Sequence, residues 1–213
     1  MKKFLTQKHF FLLGSALFLL LLFVGFSYMV HKDVFTQFDF DTTVRLQEHI
    51  SRRFDVFFSL LSAFGSFEPM TILLIILLVV RRKLWGIMTF GMFGFMHLFE
   101  IFGKSFVSHL PPPEFMLRTQ HLINFPEFYV RLQNSYPSGH AGRALFMTVF
   151  LGVWAGSNKK LSRIQKMFVY LCLFSYDAVM LVSRIYLGEH WTSDVIGGTL
   201  LGASMGLLGA VFL

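Results

Sequence analysis

The sequence is poor in charged residues and in cysteine. Only 15% of its 213 residues are charged, whereas a soluble globular domain has about a quarter. The single cysteine, Cys172, excludes an internal disulfide and a zinc site built on cysteines. The net charge is +7, but the basic residues cluster between apolar runs and do not form the patch that a nucleic-acid-binding protein requires. Together with 54% hydrophobic residues and a mean hydropathy of +0.60, these shortages indicate an integral membrane protein and no nucleic-acid partner.

Six apolar runs are interpreted as transmembrane helices. They cover residues 10–30, 66–80, 84–106, 140–156, 167–187 and 195–213. The first is too long for the apolar region of a signal peptide, and no cleavage pattern of small residues follows it, so we interpret it as a retained span. The second and fourth are marginal, because crossing the hydrocarbon core takes about 20 residues. The sequence thus predicts an all-α fold: one polytopic domain over residues 1–213, built as a six-transmembrane-helix bundle.

The distribution of basic residues predicts the orientation. One set of segments carries basic but no acidic residues, namely Lys2, Lys3, Lys8, Arg81, Arg82, Lys83, Lys159, Lys160, Arg163 and Lys166. By the positive-inside rule, that side of the membrane is cytoplasmic, and both termini lie there. The segments 31–65, 107–137 and 188–194 are then expected on the extracytoplasmic side.

Residues 41–62 are too rich in charge to cross the membrane. Apolar residues alternate with charged ones there, which favours an amphipathic helix in the outer interface. We expect Asp41 or Thr42 to be its N-cap. The simpler interpretation is an element that covers the bundle, and the alternative is a lipid-binding lid.

Three glycines follow one another at four-residue spacing in the last span: Gly198, Gly202 and Gly206. Small residues on one helix face let two helices approach closely in a membrane. We expect this face to pack inside the bundle, with a homodimer interface as the alternative.

Polar residues gather at the predicted outer ends of four spans. The groups are Glu100 with Lys104, then Ser138, Gly139 and His140, and finally Arg184, Glu189, His190 and Asp194. Ionisable groups at membrane depth are costly and are usually functional. Because these groups are distant in sequence but share one side, they predict a site there. Glu100 is expected to neutralise and orient Lys104, four residues later.

The chemistry of these residues suits a phosphoryl group. A Pro-Ser-Gly sequence leading into a helix presents backbone N–H groups to an anion, and Lys104 and Arg184 add positive charge. Asp194, four residues after His190, can accept the Nδ1–H of that imidazole and leave Nε2 as a nucleophile. His140 can then act as the general acid. The two cations make a metal or another cofactor unnecessary, although the His–Asp spacing is also that of metal ligands, so a metal site stays the weaker alternative.

The residues in this arrangement resemble the signature motifs of the type 2 phosphatidic acid phosphatase superfamily, which the vanadium haloperoxidases share. The similar parts are Lys104, the run from Pro137 to His140, and Ser183-Arg184 with His190 and Asp194, and the resemblance extends over residues 84–213. It implies a phosphohistidine at His190 with Asp194 as its partner and His140 as acid. It also implies phosphate contacts from the residues Lys104, Ser138, Gly139 and Arg184.

The first motif departs from the family pattern. An arginine is expected seven residues after Lys104, and Pro111 stands there instead. The candidates that could replace it are His109, Arg118, Arg131 and Arg143. Arg143 lies three residues after His140, on the same helix face, and is expected to bind phosphate. The alternative is that Arg143 reaches the interface or pairs with a carboxylate such as Glu189.

The sequence therefore predicts a phosphatase that acts on a lipid phosphate or pyrophosphate on the extracytoplasmic side. The resemblance suggests undecaprenyl pyrophosphate, phosphatidylglycerophosphate or phosphatidic acid as substrates, without choosing among them. A lipid phosphotransferase would use the same phosphohistidine with another acceptor. A non-enzymatic lipid-phosphate binding or transport protein would need only the cations, and the two histidines with Asp194 argue against it.

Overall fold

The structure, a computed structural model, describes residues 7–81, 86–119 and 134–213. In these ranges the chain is helical, with no strand, as the sequence predicted. Two short 3-10 turns, Arg52–Phe54 and Glu114–Met116, accompany the α-helices. The α-helices are α1 (Gln7–His31), α2 (Thr36–His49), α3 (Asp55–Phe64), α4 (Phe67–Arg81), α5 (Gly86–Phe106), α6 (Gly139–Ser157), α7 (Arg163–Tyr186) and α8 (Thr192–Ala210).

Four of these helices are long and apolar enough to cross a membrane: α1, α5, α7 and α8. The segments Arg52–Phe64 and Phe67–Val79 meet the same criterion together and are bent by 48° at their junction, so α3 and α4 supply a fifth candidate span. The fourth predicted span corresponds to α6, which does not meet the criterion because its first turns carry glycines, His140 and Arg143. Six spans therefore stay a prediction, with four or five supported among the described residues.

The segment 41–62 differs from its prediction as one helix. It contains most of α2, a 3-10 turn and most of α3. The predicted N-cap is wrong, since α2 begins at Thr36 and both candidates lie inside it. Their side chains bond within the helix: Thr42 Oγ1 donates to the carbonyl of Phe38 (2.7 Å), and Asp41 accepts from Gln37 Nε2 (2.8 Å). The location of the segment 41–62 on the outer side of the membrane stays a prediction.

The centre of the bundle is the contact between α6 and α8, where three glycines remove the side chains that would separate the helices. A Cβ at Gly198, Gly202 or Gly206 would meet the α6 backbone or the residue before it, and at Gly202 it would collide with Gly142. Such close approach needs glycine on at least one of the helices. Packing inside the bundle is therefore confirmed, and α6 covers the face that the alternative homodimer would need.

The helix ends fall into two groups. Lys8 Nζ donates to Ser157 Oγ (2.7 Å), which places the start of α1 and the end of α6 at the same end of the bundle. The opposite end gathers the end of α5, the start of α6, the end of α7 and the start of α8. All three predicted polar groups lie on these four helix ends or in the loops beside them.

Candidate active site

The start of α6 is joined directly to the start of α8. Ser138 is the N-cap of α6 and its backbone N–H donates to the carbonyl of Asp194 (2.9 Å). This one bond places the Pro137–His140 motif beside the motif that contains His190 and Asp194. Ser138 is fully buried, so its hydroxyl and backbone belong to the interior of the site.

Gly139 allows a close approach at the same helix end, but the group that approaches is part of the chain. A Cβ on Gly139 would collide with the Glu100 carboxylate and would lie 2.8 Å from Arg143 Nη1. Gly139 does leave room for an anion at this helix end, as predicted, but in this structure the anion is the carboxylate of Glu100. Phosphate binding by Gly139 stays a prediction.

The predicted histidine–aspartate pair is present. His190 Nδ1 lies 3.3 Å from Asp194 Oδ2, which also accepts the backbone N–H of Trp191 (3.0 Å). The carboxylate of Asp194 has no exposure to solvent. Burial and the nearby Arg184 hold the pKa of His190 well below its usual range, which favours the neutral ring. A neutral imidazole with Nδ1 bound to a carboxylate has its lone pair on Nε2.

The other predicted site residues surround the two histidines. His140, in the first turn of α6, lies close enough to Lys104, Arg143, Arg184 and His190 for each to act on its charge. The structure therefore brings together His140, His190, Asp194, Arg184 and Lys104, as predicted. Their roles in a reaction stay predictions.

Arg184 is fully buried at the end of α7 and is bonded on both sides. Its Nη1 donates to Ser62 Oγ on α3, and its Nη2 donates to Glu189 Oε2. Glu189 also accepts from the hydroxyl of Thr119. The guanidinium predicted to bind phosphate is thus held by the carboxylate of the residue before His190, a contact that the sequence did not reveal.

A second carboxylate, Glu100 on α5, collects the remaining cations. Its oxygens accept from Lys104 Nζ (2.8 Å) and lie 3.0 Å from His97 Nδ1 and 3.5 Å from Arg143 Nη1. The expectation that Glu100 orients Lys104 is confirmed. The alternative that Arg143 pairs with a carboxylate is confirmed, but its partner is Glu100 and not Glu189, which is paired with Arg184.

Arg143 has a second partner in the bend between α3 and α4. Its Nε donates to the carbonyl of Gly65 (3.0 Å), and its side chain is buried. Both of its partners lie inside the protein. The guanidinium is therefore within the site but is already shared by two internal acceptors, and phosphate binding by Arg143 stays a prediction.

The segment around Pro111 is attached to the third motif by its backbone. The carbonyl of Leu110 accepts from Trp191 Nε1 (2.8 Å). Of the candidates for the missing arginine, Arg118 lies elsewhere: its Nη2 donates to the carbonyl of Gln47 (3.0 Å), and its guanidinium carbon is 5.0 Å from the centre of the Tyr186 ring. Arg131 lies outside the described residues.

His109 lies against Asp194, and two residues that the sequence did not identify accompany it. His109 Nε2 is 3.6 Å from Asp194 Oδ1, 3.6 Å from Asp39 Oδ2 and 3.2 Å from Ser193 Oγ. Asp39 and Ser193 are completely or almost completely buried. No sequence signal pointed to Asp39, because it lies in a short alternation of phenylalanine and aspartate that belongs to none of the motifs. In the part of the chain that the structure describes, no three His, Cys, Asp or Glu side chains converge as metal ligands do.

An all-helical membrane bundle with one polar end is the class of protein that this fold defines. The PAP2 superfamily profile matches residues 83–213, which is more than half of the chain. The chain therefore belongs to the PAP2 superfamily. This membership confirms the resemblance seen in the motifs and, with it, the predicted class of a membrane hydrolase of phosphoester bonds.

Two solved structures share the fold. The first is a transmembrane PAP2-type phosphatidylglycerolphosphate phosphatase from Bacillus subtilis, with a TM-score of 0.74 and 20% identity, covering 92% of this chain and 94% of that one. The second is LpxE from Aquifex aeolicus, with a TM-score of 0.61 and 24% identity, covering 81% of this chain and 94% of that one. No curated protein matches the sequence. At these identities the two likenesses concern the fold alone.

Proposed function

We propose that this protein hydrolyses a phosphomonoester or pyrophosphate on a lipid, through a phosphohistidine formed at His190. The observation that carries the proposal is the His190–Asp194 pair beside Arg184 and Lys104, at the end of the bundle where His140 also lies. A protein that only binds a lipid phosphate needs the cations and has no use for a buried carboxylate on a histidine. The pair therefore favours catalysis over binding or transport.

The first chemical step is an in-line attack. His190 Nε2 forms a bond to phosphorus as the bond from phosphorus to the leaving oxygen breaks, and His140 gives that oxygen a proton. Asp194 accepts Nδ1–H and stabilises the positive charge that grows on the His190 ring. The products of this step are the dephosphorylated lipid, or its monophosphate, and phosphohistidine.

The second step returns the enzyme to its starting state. Neutral His140 takes a proton from water, whose oxygen attacks phosphorus as the bond from phosphorus to nitrogen breaks. Inorganic phosphate leaves, and His190 regains its lone pair. A lipid phosphotransferase would differ only in the acceptor, which would be a hydroxyl group other than water.

Charge neutralisation comes from the two cations and the start of α6. Phosphoryl oxygens would replace the Glu189 carboxylate on Arg184, since a guanidinium binds either anion through parallel hydrogen bonds. Lys104 would contribute through its ammonium, with Ser138 and Gly139 at the helix N-terminus. Undecaprenyl pyrophosphate, phosphatidylglycerophosphate and phosphatidic acid all present such an anion at the membrane surface and are the candidate substrates.

The test is phosphate release by the purified protein from a panel of these lipid phosphates and pyrophosphates. We expect activity that EDTA leaves intact and that vanadate, a mimic of the trigonal bipyramidal transition state, inhibits. His190→Ala is the control for contaminating phosphatases. A chelator effect reversed by zinc or magnesium would replace this mechanism by a metal-dependent one, and transfer of phosphate to an added alcohol but not to water would favour the phosphotransferase.

We also propose that the site faces the extracytoplasmic side and that both termini are cytoplasmic. The support is that Lys8 and Ser157 share the end opposite the site, where the predicted cytoplasmic basic residues lie. In a Cys172→Ser background, a cysteine at Glu114 should react with an impermeant thiol reagent in intact cells. A cysteine at Lys160 should react only after lysis. The reverse pattern would invert the topology. Gln133, in the same predicted outer loop as Glu114, lies outside the described residues.

A further inference from the structure

A buried polar cluster lies behind the histidine–aspartate pair and joins three parts of the chain. It consists of Asp39 on α2, His109 in the loop after α5, and Ser193 with Asp194 in the first turn of α8. Asp39 Oδ1 accepts the backbone N–H of Ser193 (2.7 Å), and Asp39 Oδ2 accepts the Ser193 hydroxyl (2.6 Å). None of the four residues is more than 8% exposed, so each polar atom depends on the others for its partners.

The direction of the hydrogen bonds follows from the number of protons. The Ser193 hydroxyl has one proton, which it donates to Asp39, so its oxygen can only accept from His109 Nε2 at 3.2 Å. Burial raises the pKa of Asp39, but both bonds from Ser193 favour its ionised form. With Asp39 ionised, Nε2 of His109 carries a hydrogen. That hydrogen is donated to Ser193 Oγ, and the two carboxylates, each 3.6 Å from Nε2, are held near it by its partial positive charge.

Asp194 presents its second oxygen to this ring. Its Oδ2 is occupied by His190 and by the N–H of Trp191, whereas Oδ1 has no hydrogen-bond partner at normal distance among the described residues. His109 faces this oxygen, with Nε2 at 3.6 Å from Oδ1, and the side chain of Ser135 lies near the same carboxylate. The other charged groups around the cluster are Asp39, facing His109 from α2, and Lys104, acting on Asp194 from α5.

His109 is held in place by its backbone. Its N–H donates to Asn134 Oδ1 (3.1 Å), and its carbonyl accepts the backbone N–H (2.9 Å) and hydroxyl (3.1 Å) of Ser135. Asn134 Nδ2 in turn donates to the carbonyl of Lys104 (3.0 Å). The loop that carries His109 is thus connected to the segment before the second motif and to the end of α5.

We propose that His109, supported by Asp39 through Ser193, is a positioning residue that holds the Asp194 carboxylate in the rotation at which it orients His190. The proposal rests on the proposed function of His190. A carboxylate held at one oxygen alone can turn about its Cβ–Cγ bond, and the Nδ1 contact of His190 would turn with it. Outer partners of this kind change activity by fixing the orientation of the residue that reacts.

The experiment compares two replacements of His109 in two backgrounds. His109→Gln can still donate an N–H from nearly the same place, whereas His109→Leu fills similar space without a donor. We expect His109→Leu to lower kcat about ten- to a hundredfold and His109→Gln to stay within about fivefold of the wild type. In an Asp194→Asn background the further loss from His109→Leu should vanish, because the residue acts through Asp194. His49, exposed on α2 and outside the cluster, gives the matched control His49→Leu, with no expected loss.

A second measurement does not depend on turnover. The ¹⁵N chemical shifts of the His190 ring, assigned by their loss in His190→Gln, should show the Nδ1–H tautomer in the wild type and a mixture of tautomers in His109→Leu. Equal losses from His109→Leu in both backgrounds, equal effects of Gln and Leu, or an unchanged tautomer would each overturn the proposal. If His109→Leu changes the His190 tautomer as expected but the wild-type protein releases no phosphate from any lipid, the positioning role of His109 stands and the proposed function is contradicted.

Discussion

Two buried carboxylates at the same end of the bundle are surrounded in opposite ways. Asp194 is surrounded by the Trp191 N–H and the rings of His190 and His109, groups that orient it without fully neutralising it. Glu100 is surrounded by Lys104, Arg143 and His97. Two permanent cations there face one carboxylate, which leaves an excess of positive charge. The contrast divides the site into two halves. The aiming half, which orients the nucleophile His190, contains Asp194 and His109. The anion-holding half contains Glu100, Lys104, Arg143 and His97.

The largest effect should come from the aiming half. His190→Ala removes the atom that bonds to phosphorus and should lower kcat by on the order of 10⁴-fold or more. Asp194→Asn should lose less, because Nε2 remains and only its orientation and the stabilisation of its charge suffer. Both are measured as phosphate release, with thermal unfolding in detergent to show that the variants fold. Near-normal turnover by His190→Ala would remove the basis of the comparison.

The second effect compares the two buried arginines: Arg184, near His190, and Arg143, beside Glu100. Arg184→Ala should lower kcat/KM by about a hundredfold or more, the usual cost of losing a transition-state contact. Arg143→Ala should cost about tenfold or less, mainly in KM, because its guanidinium is already shared by Glu100 and Gly65. An effect of Arg143→Ala as large as that of Arg184→Ala would show that Arg143 replaces the arginine missing at Pro111.

These two arginines also show how far the sequence could lead. Motif spacing was enough to place Arg184, His140, His190 and Asp194 together, because each lies on a helix end and the helix ends meet. Spacing could not tell which carboxylate each arginine would choose. The sequence predicts Glu189 and Arg143 at the same end of the bundle, which makes their pairing plausible. In the structure Glu189 follows α7 by three residues and lies beside Arg184. Contacts between distant segments decide such pairings.

The same limit explains the errors in the fold. The apolar runs predicted α1, α5, α7 and α8 within a few residues, since length and hydropathy suffice for helices that face lipid. The predicted N-cap of α2 lies six or seven residues after the observed one, Phe35, because Asp41 and Thr42 are good caps that here bond inside the helix. Asp39 was missed since nothing local distinguishes a carboxylate that will meet Ser193 from one that faces water.

The third effect is on stability and tests the contact that keeps the two halves together. Gly202→Ala would push a methyl group into the backbone of Gly142, so α6 and α8 must separate. We expect a loss of about 1–3 kcal/mol in the free energy of unfolding. Gly14→Ala, on α1 with nothing within 4 Å of the added carbon, is the control and should be neutral or slightly stabilising. Unfolding in detergent measures both, and equal stability of the two variants would mean that the helices are less tightly packed than described.

The smallest effect should come from the carboxylate of the anion-holding half. Glu100→Gln makes the same chemical change as Asp194→Asn, an oxygen replaced by an amide nitrogen. The amide can still accept from Lys104, and Arg143 keeps its bond to Gly65. With less negative charge beside the two cations, KM for the lipid phosphate should fall by about threefold, and vanadate should inhibit at lower concentration. The value of kcat should stay within about threefold, because Glu100 does not touch the nucleophile. If Glu100→Gln instead lowers kcat as strongly as Asp194→Asn, both carboxylates serve the chemical step and the division into two halves is wrong.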